Sequence, residues 1–382
     1  MTKEQKIIAA VQSYLRGDPV IHILREYKCS KSWLYKWVNR YKVNPNGEWY
    51  LEQSRKPKTT ASNVCDSEQQ SVIRTRQYLE SKPYSQRGAI SIQYELKAQN
   101  QQIIPIWKIN KILSKAGLNK RAPKCSQRVN EYPQPGPVTD QMDFVGPRYI
   151  KNDGRFYSLN IIDTSTHFAH VNIIRSMETT NVLKAVVRFW QQRGTPDFLQ
   201  MDNGLSFRGS NKHPRSFGQL IRLALSLHIT PLFIPIKEPW RNGIIEKFND
   251  SFNKRFLRSR VYDNYEHLVN CSSDFEQFHN TQHRYSIHNN RTPVLQQELE
   301  YCRDILTSEF VIPKSKIAIN HGKIILIRFI RSNLVLNIFG EKFLVPKHLM
   351  YSYVHAVIDV ESQVLCIMRD GHLHHTIAYT LT

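Results

Sequence analysis

The apolar residues of this 382-residue chain change their spacing near residue 138. Before that point they recur every three or four positions, which is typical of amphipathic helices. After it, short runs of β-branched and aromatic residues alternate with helical segments, and this order predicts a mixed sheet covered by helices. A chain of this length allows two or three domains, since one domain usually holds about 100–200 residues. The sequence therefore predicts a multidomain α and α/β protein.

Residues 1–45 are predicted to form three short helices. The second, 20–27, is expected to turn Ile21 and Leu24 inward, and the third follows Ser30, a favourable N-cap. A short turn before a helix with a polar, basic outer face is typical of a helix-turn-helix unit that binds DNA. A small helical bundle with a solvated face has the same pattern. The outer face of the third helix contains Lys31, Ser32, Tyr35, Lys36, Asn39 and Arg40.

A second helical unit is predicted over residues 67–118, and its last helix begins at Pro105 and ends at Gly117. Lys108 and Lys111, together with Lys115, are expected on an exposed face of that helix, where they would contact a DNA backbone. The segments 46–66 and 119–137 lack periodicity and contain Pro, Asn and Lys, so both are predicted to be linkers. Two helix-turn-helix-like units in tandem would bind a longer stretch of DNA than one.

Two further domains are predicted after the second linker. Residues 138–300 begin with three strands of antiparallel type and continue with alternating helices and strands, which predicts the mixed-sheet core. Residues 312–382 contain short β-runs separated by Gly and polar turns, and these predict a small C-terminal β-barrel or sandwich.

Charge indicates the partner. The formal net charge is +21; residues 1–130 contain 24 Lys and Arg against 9 Asp and Glu, and residues 131–382 contain 29 against 23. Clustered cations gain free energy by displacing counterions from phosphates, so an extended polyanion is the expected partner, and the helix-turn-helix pattern makes double-stranded DNA the candidate. A generally basic ribosomal or surface protein is the alternative, but it would not need this uneven distribution of charge. Six cysteines without a CxxC pair argue against a disulfide framework or a Cys-rich zinc module. No membrane span or signal peptide is expected, and the chain is predicted to be cytoplasmic.

Three acidic residues stand where chemistry is expected. Asp143 lies at mid-strand among apolar residues, and Asp202 ends a strand and precedes an Asn-Gly turn. Glu246 lies in the first turn of a helix and on a different face from Phe248, which begins a predicted buried stripe that continues with Phe252 and Phe256. Each acid alone fits a cap, a turn or a salt bridge. Three together are the oxygen ligands that two hard divalent cations need for phosphodiester chemistry.

The blocks QMDF at 141–144, QMDNGLSF at 200–207 and RNGIIEKFND at 241–250 resemble the DDE catalytic core of retroviral integrases and bacterial insertion-sequence transposases. IIDTSTHFAHV at 161–171 and FHNTQHRYSIHNNRTP at 278–293 are similar to further segments of that family. The resemblance extends over most of the chain. It implies a ribonuclease H-like core, preceded by the helix-turn-helix units and followed by the barrel.

The same resemblance implies a DNA transposase. Such an enzyme cleaves at transposon ends and joins the freed 3′-hydroxyl to target DNA, with two Mg²⁺ (or Mn²⁺) held by Asp143, Asp202 and Glu246. It also implies a homo-oligomer on DNA, since two ends are held together.

The chain departs from the family in two respects. Asp202 and Glu246 are 44 positions apart, which is longer than is usual, and the segment 206–216 accounts for the difference. Relatives often have Lys or Arg seven positions after the Glu, whereas this chain has Asn253. The cations expected to contact the DNA end are Lys254, Arg255 and Arg258.

Two alternatives to a transposase remain open at the level of sequence. A catalytically inactive, transposase-derived protein would keep sequence-specific DNA binding and lose the chemistry. A ribonuclease H-like nuclease without strand transfer would share the metals but would not need two DNA-binding units.

Asp140 is a fourth acid in the first block. It lies three positions before Asp143, and this odd offset places it on the opposite face of the strand.

Overall fold

The structure of the chain is a computed structural model that describes residues 1–52, 64–119, 132, 136, 138–210, 212–299 and 303–382. The chain divides into two compact units, Met1–Asn63 and Val64–Thr382.

The first unit contains three helices, α1 (Lys3–Leu15), α2 (Val20–Glu26) and α3 (Lys31–Val43). They pack around Ile7, Val11, Leu34, Trp37 and Val38. As predicted, the Ser30 hydroxyl caps α3 by accepting from the Trp33 backbone N–H.

The inward face predicted for α2 is partly wrong. Ile21 is 64% exposed, whereas Ile23 is 1% exposed and belongs to the core. Val20, Leu24 and Tyr27 pack beside Ile23, so the buried stripe follows helical spacing from residue 20 and leaves Ile21 on the opposite side.

The predicted start of the first linker is also wrong. Trp49 packs edge-to-face on Tyr41 with 5.2 Å between ring centroids, and Arg40 donates to the Leu51 carbonyl oxygen at 3.1 Å. Aromatic burial therefore makes 48–52 part of the first unit. Most of the predicted linkers, residues 53–63 and 120–131 above all, lie outside the described residues.

The second unit begins with three helices, α4 (Asp66–Ser81), α5 (Ala89–Ala98) and α6 (Ile106–Lys115). Their core contains Val72, Leu79, Ile92, Leu96, Ile109 and Leu113. Lys111 and Lys115 are exposed as predicted.

The predicted exposure of Lys108 is wrong. Its ammonium lies 2.9 Å from Glu68, a largely buried residue whose side chain also accepts from the Cys65 N–H at the start of α4. This ion pair joins α6 to α4, so Lys108 has an internal partner in place of an exposed DNA-contacting position.

The loop between α4 and α5 joins this helical part to the core. Tyr84 packs on Phe256, Phe275 and Phe278, with ring centroids 5.4–6.1 Å apart. The Gln86 side chain accepts from the Arg284 N–H at 2.8 Å and donates to the Arg284 carbonyl at 3.0 Å. Residues 64–119 are therefore packed against the core, and the predicted separate domain at 67–118 is wrong in this respect.

The core contains a nine-stranded sheet in the order β11-β10-β9-β6-β5-β4-β1-β2-β3. Strands β1, β2 and β3 are antiparallel neighbours, and β1, β4 and β5 are parallel, as predicted for the region after residue 138. The strands of the sheet are β1 (Thr139–Ile150), β2 (Gly154–Asp163), β3 (Ala169–Ile174), β4 (Phe198–Met201), β5 (Thr230–Phe233), β6 (Lys323–Phe329), β9 (Tyr353–Asp359), β10 (Val364–Arg369) and β11 (His372–Ala378).

Helices cover both faces of the sheet. One face packs on α7 (Thr179–Arg193), α8 (Leu205–Arg208) and α9 (Gln219–Ser226). The other packs on α10 (Gly243–Phe252), a π-helical turn (Asn253–Leu257) and α11 (Tyr265–Gln282), and α12 (Pro293–Gln297) follows. The predicted stripe of Phe248, Phe252 and Phe256 is buried in this second layer.

The predicted C-terminal barrel is wrong. Strand β6 pairs in parallel with β5, at Leu232 with Ile325 and Phe233 with Leu326, and β9, β10 and β11 extend the same sheet. Only β7 (Val335–Ile338) and β8 (Glu341–Leu344) form a separate hairpin within the described residues. An alternating pattern predicts strands but does not say whether they close on themselves or add to an existing edge.

In the part of the chain that the structure describes, no helix is both long enough and apolar enough to span a membrane.

We predict that Tyr84→Ala destabilises residues 64–382 by about 3 kcal/mol, because the substitution leaves a cavity among the core phenylalanines. Chemical unfolding of the full chain measures the effect. Tyr149→Ala is the control, since Tyr149 is 74% exposed and its loss should change stability little. Equal effects of the two substitutions would contradict the docking of the helices on the core.

Candidate active site

Asp143 faces the layer that contains α10. On β1, Met142 belongs to the core on the α7 side, whereas Val145 belongs to the core on the α10 side, and side chains alternate along a strand, so Asp143 is on the same side as Val145. The Asn249 amide on α10 donates to Asp143 Oδ2 at 2.9 Å. Asn249 in turn accepts from Asn160 on β2 at 2.7 Å. Asp143 is thus a half-buried carboxylate held between two strands and a helix.

Asp202 follows β4 at its carboxyl end. The parallel register pairs Gln141 with Gln200, and Asp143 and Asp202 come two positions later on their strands. The exposed Asp202 carboxylate accepts from the Gly204 N–H at 2.8 Å. A Cβ at Gly204 would lie 2.8 Å from Asp202 Oδ1, so a side chain at this turn would displace the carboxylate.

Glu246 lies in the first turn of α10, which is fixed to both strands by side-chain amides. Gln141 Oε1 accepts from the Ile245 N–H at 3.0 Å. Asn242 donates to the Met142 carbonyl at 3.2 Å and accepts from Gln200 at 3.1 Å. These bonds set the position of the helix on β1 and β4, the strands that lead to the other two acids.

Asp143 interacts electrostatically with each of the other two acids. Burial above all, then the negative charge of Asp202 and, more weakly, that of Glu246, raise the pKa of Asp143 to about 6. The Asn249 hydrogen bond opposes this shift. Burial also raises the pKa of Glu246. Asp202 and Glu246 therefore lie close enough to Asp143 for their charges to act on its carboxylate.

Within the described residues, no group of three or more His, Cys, Asp or Glu side chains is arranged to hold a metal ion. The predicted convergence is therefore incomplete, since the acids lie within electrostatic range of one another without forming a ready set of three ligands. Their chemistry nonetheless fits a divalent cation, because hard cations prefer carboxylate oxygens and would relieve the repulsion at Asp143.

Asp140 points away from the three acids, as predicted. Its Oδ1 atom accepts from the Arg303 guanidinium at 2.7 Å, and Trp190 Nε1 donates to Oδ2 at 3.3 Å. Arg303 also pairs with Asp163 at 2.6 Å, and Asp163 pairs with Arg193 at 2.6 Å. Two carboxylates and two guanidiniums are all buried here, so Asp140 belongs to a neutral structural cluster.

The predicted DNA-contacting residues fall into two classes. Lys31, Ser32, Lys36 and Asn39 are exposed on α3, although the Lys36 ammonium also lies 4.9 Å from the Trp37 ring centroid, and Arg258 is exposed after the π-helical turn. The remaining residues are half-buried or ion-paired. Tyr35 packs on Tyr14, Arg40 lies 4.7 Å from the Trp37 ring centroid, Lys254 pairs with Asp250 at 2.7 Å, and Arg255 is half-buried beside His283.

Sequence patterns did not reveal the asparagines that orient Asp143. Asn160 and Asn249 are buried polar residues on apolar faces, and they hydrogen-bond across elements far apart in the chain. The one available signal was the spacing of three between Glu246 and Asn249 on α10, which places both on one helix face.

No protein-family model matches the chain. In sequence, it is similar to the protein named "Putative integrase ORF3" of Spiroplasma virus SpV1-C74, with 25% identity over 172 residues. The alignment covers 40% of this chain and 45% of that protein, so the chain spans less than half the length of this relative. A similarity to an integrase-type protein is thus confirmed. An origin in a bacterial insertion sequence stays a prediction.

Among solved structures, the chain superposes on the HTLV-2 integrase catalytic core domain in complex with magnesium, in its trimeric form, with 16% identity and a TM-score of 0.32 over 42% of this chain and 96% of that one. The superposition on the catalytic core domain of BIV integrase has 16% identity and a TM-score of 0.33, and it covers 43% of this chain and 95% of that one. The superposition on a chain of the simian T-cell lymphotropic virus intasome in complex with PP2A regulatory subunit B56 gamma has 14% identity and a TM-score of 0.35. It covers 76% of this chain and 93% of that one. All three superpositions are partial.

We predict that Asp143→Asn stabilises the metal-free protein at pH 8 by about 1–3 kcal/mol. Because the folded-state pKa of Asp143 is raised, the ionised carboxylate lowers stability above pH 6 and has no such effect once it is protonated near pH 4. The Tm should therefore rise at pH 8 and change little at pH 4.

Thermal unfolding in EDTA measures the difference. Asp274→Asn, at an exposed position on α11, is the matched control. A lower Tm for Asp143→Asn at pH 8 would show that the carboxylate is structural and not repelled by its neighbours.

Proposed function

We propose that this protein is a DNA transposase or integrase that cleaves at the ends of a mobile element and joins the freed 3′-hydroxyl to target DNA. The observation that supports this most directly is the position of Asp143 and Asp202 two residues beyond the paired Gln141 and Gln200 of adjacent parallel strands, where the charges of Asp202 and Glu246 act on Asp143. Proteins retain such unfavourable clusters of like charge mainly where function requires them.

Asp143, Asp202 and Glu246 would hold two Mg²⁺ (or Mn²⁺). When bound, these ions supply an activated attacking hydroxyl and stabilise the leaving oxygen of the phosphodiester. The chain itself contributes orientation. The Asn249 amide donates to one oxygen of Asp143 and the Gly204 N–H to one oxygen of Asp202, so both carboxylates are restrained in orientation and would be ready to hold an ion.

Sequence similarity supports the same reaction class. The relative from Spiroplasma virus SpV1-C74 is named an integrase, and the three acidic blocks resemble those of the DDE family. The partner would be double-stranded DNA, as the net charge of +21 suggests, and a homo-oligomer would hold two ends together.

The three-helix unit at the N-terminus would recognise the DNA end. We propose that α3 enters the major groove, because Lys31, Lys36 and Asn39 form an exposed polar face on it. Lysines would bind phosphates, and Asn39 is the side chain suited to a base edge.

A second candidate is an inactive, transposase-derived protein that only binds DNA. One observation favours it, namely that the described residues contain no ready three-ligand metal group. A direct assay of strand joining separates the two functions.

We expect Asp143→Asn to reduce cleavage and joining by at least about a hundredfold, since the loss of a metal ligand removes several kcal/mol of transition-state stabilisation. Binding of end DNA should stay within a few-fold. The assay uses a labelled end duplex, target DNA and Mg²⁺ or Mn²⁺. Asp197→Asn, at an exposed position just before β4 and therefore at the end opposite Asp202, is the control. Unchanged joining by Asp143→Asn would remove this residue from the site; no joining by the unaltered protein would favour the inactive candidate.

Two substitutions on α3 should separate affinity from specificity. Lys36→Gln should weaken binding to end and scrambled duplexes alike and reduce the salt slope by about one unit, because a phosphate contact is lost. Asn39→Ala should reduce binding mainly to the end duplex, by about 1–3 kcal/mol. Arg16→Gln, after the end of α1, is the control for charge. If Asn39→Ala leaves the ratio of the two affinities unchanged, α3 does not recognise the end sequence.

A further inference from the structure

A groove of about 460 Å³ lies where the α4–α5 loop meets the π-helical turn. One wall belongs to the helical part, residues 80–87, and the other to residues 254–260 of the core. We refer to it as the junction groove. Five cationic side chains line it, and Glu80 is the one acid among its lining residues: Lys82, Arg87, Lys254, Arg255 and Arg260.

Two of these five cations are ion-paired within the part of the chain that the structure describes. Lys82 pairs with Glu95 and Lys254 with Asp250, and Glu80 is taken by Arg76. Within the described ranges of the chain, no carboxylate lies within salt-bridge distance of the other three: Arg87, Arg255 and Arg260. The junction groove therefore has an excess of three positive charges.

Arg255 shows that this excess is unfavourable in the free protein. Burial lowers its pKa and the charge of Arg87 acts in the same direction, and the opposite effects of Tyr285 and Asp250 do not cancel this net lowering. Its guanidinium contacts His283 Nδ1 at 3.3 Å. Burial also lowers the pKa of His283, so this imidazole is neutral and accepts a hydrogen bond without supplying negative charge. A half-buried guanidinium in these conditions gains from an anion in the groove.

The arginines are held in place by the fold. Arg260 lies 5.2 Å from the ring centroid of Tyr84, the residue that docks the helical part on the core. Arg255 lies in the π-helical turn, which the Arg258 N–H closes by donating to the Asn253 carbonyl at 3.0 Å. π-Helical turns inside longer helices are often found at functional sites. The cationic surface thus depends on the two parts being docked.

We propose that the junction groove binds the phosphodiester backbone of DNA, and that the helical part and the core therefore hold one duplex together. Guanidiniums present forked donors that match phosphate oxygens. Arg255 lies nine residues after Glu246, roughly 13 Å along a helix axis, so a duplex in the groove would extend toward the acids. This inference rests on the proposed function for the identity of the anion.

The test compares two variants of the full chain that each lose two positive charges. Arg87→Gln with Arg260→Gln removes exposed cations of the groove. Lys184→Gln with Arg188→Gln removes exposed cations of α7, which packs on the opposite face of the sheet. Fluorescence anisotropy in EDTA measures binding to a labelled duplex of mixed sequence at several salt concentrations, so that no chemistry contributes.

We expect the groove variant to bind about tenfold more weakly and to lose about one to two units of salt slope, since up to two phosphate contacts are removed. The α7 variant should bind as the unaltered protein does. Hydrogen exchange of the unaltered protein should show protection of residues 80–88 and 253–260 when the duplex is added. Thermal unfolding checks that both variants are folded.

Equal binding by the two variants, or no protection in these segments, would overturn the proposal. Competition by polyglutamate that is as strong as that by DNA would do the same, because it would assign the groove to an acidic protein segment. Failure of strand joining by the unaltered protein would refute the proposed function and leave this binding comparison intact.

Discussion

Three buried amide side chains connect the first turn of α10 to the strands beneath it, and the geometry of the candidate site depends on them. Gln141 binds the Ile245 N–H, while Asn242 accepts from Gln200. All three amides are almost fully buried, so a shift of the helix by one residue would leave polar groups without partners, at about 1–3 kcal/mol for each. Glu246 follows Ile245 directly and is therefore fixed relative to β1 and β4.

The sheet extends well beyond the strands that position the acids. Strand β6 covers the edge of β5, and β9 to β11 continue outward, so the parallel edge is not left open to another chain. Arg303 binds Asp140 and Asp163 inside the core, which fastens the segment before β6 to the start of β1. The C-terminal region thus stabilises the core directly, a role that a separate barrel would not have.

Local patterns were sufficient to predict many elements and the faces of some. The alternation of β1 predicts which side of the sheet Asp143 faces, and the spacing of Phe248, Phe252 and Phe256 predicts the buried side of α10. The place of the last strands was not predictable, because pairing between β5 and β6 depends on the whole fold and not on their own period.

The partners of individual side chains were the second feature that could not be predicted from the sequence. Lys108 has the spacing of an exposed helical residue, yet Glu68, distant in sequence, binds it. Asn160 and Asn249 have no pattern that marks them as supports for Asp143. Both cases depend on tertiary contacts, which single residue types and their spacing do not encode.

The central claim is that Asp143, Asp202 and Glu246 form one divalent-metal site. A crystal structure of the protein with end DNA and Mn²⁺, with anomalous scattering used to locate manganese, tests it most directly. We expect manganese within about 2.0–2.6 Å of carboxylate oxygens of Asp143 and Asp202, with Glu246 drawn in toward it. Manganese bound elsewhere, with the Asp143 carboxylate free of metal beside ordered end DNA, would contradict the account.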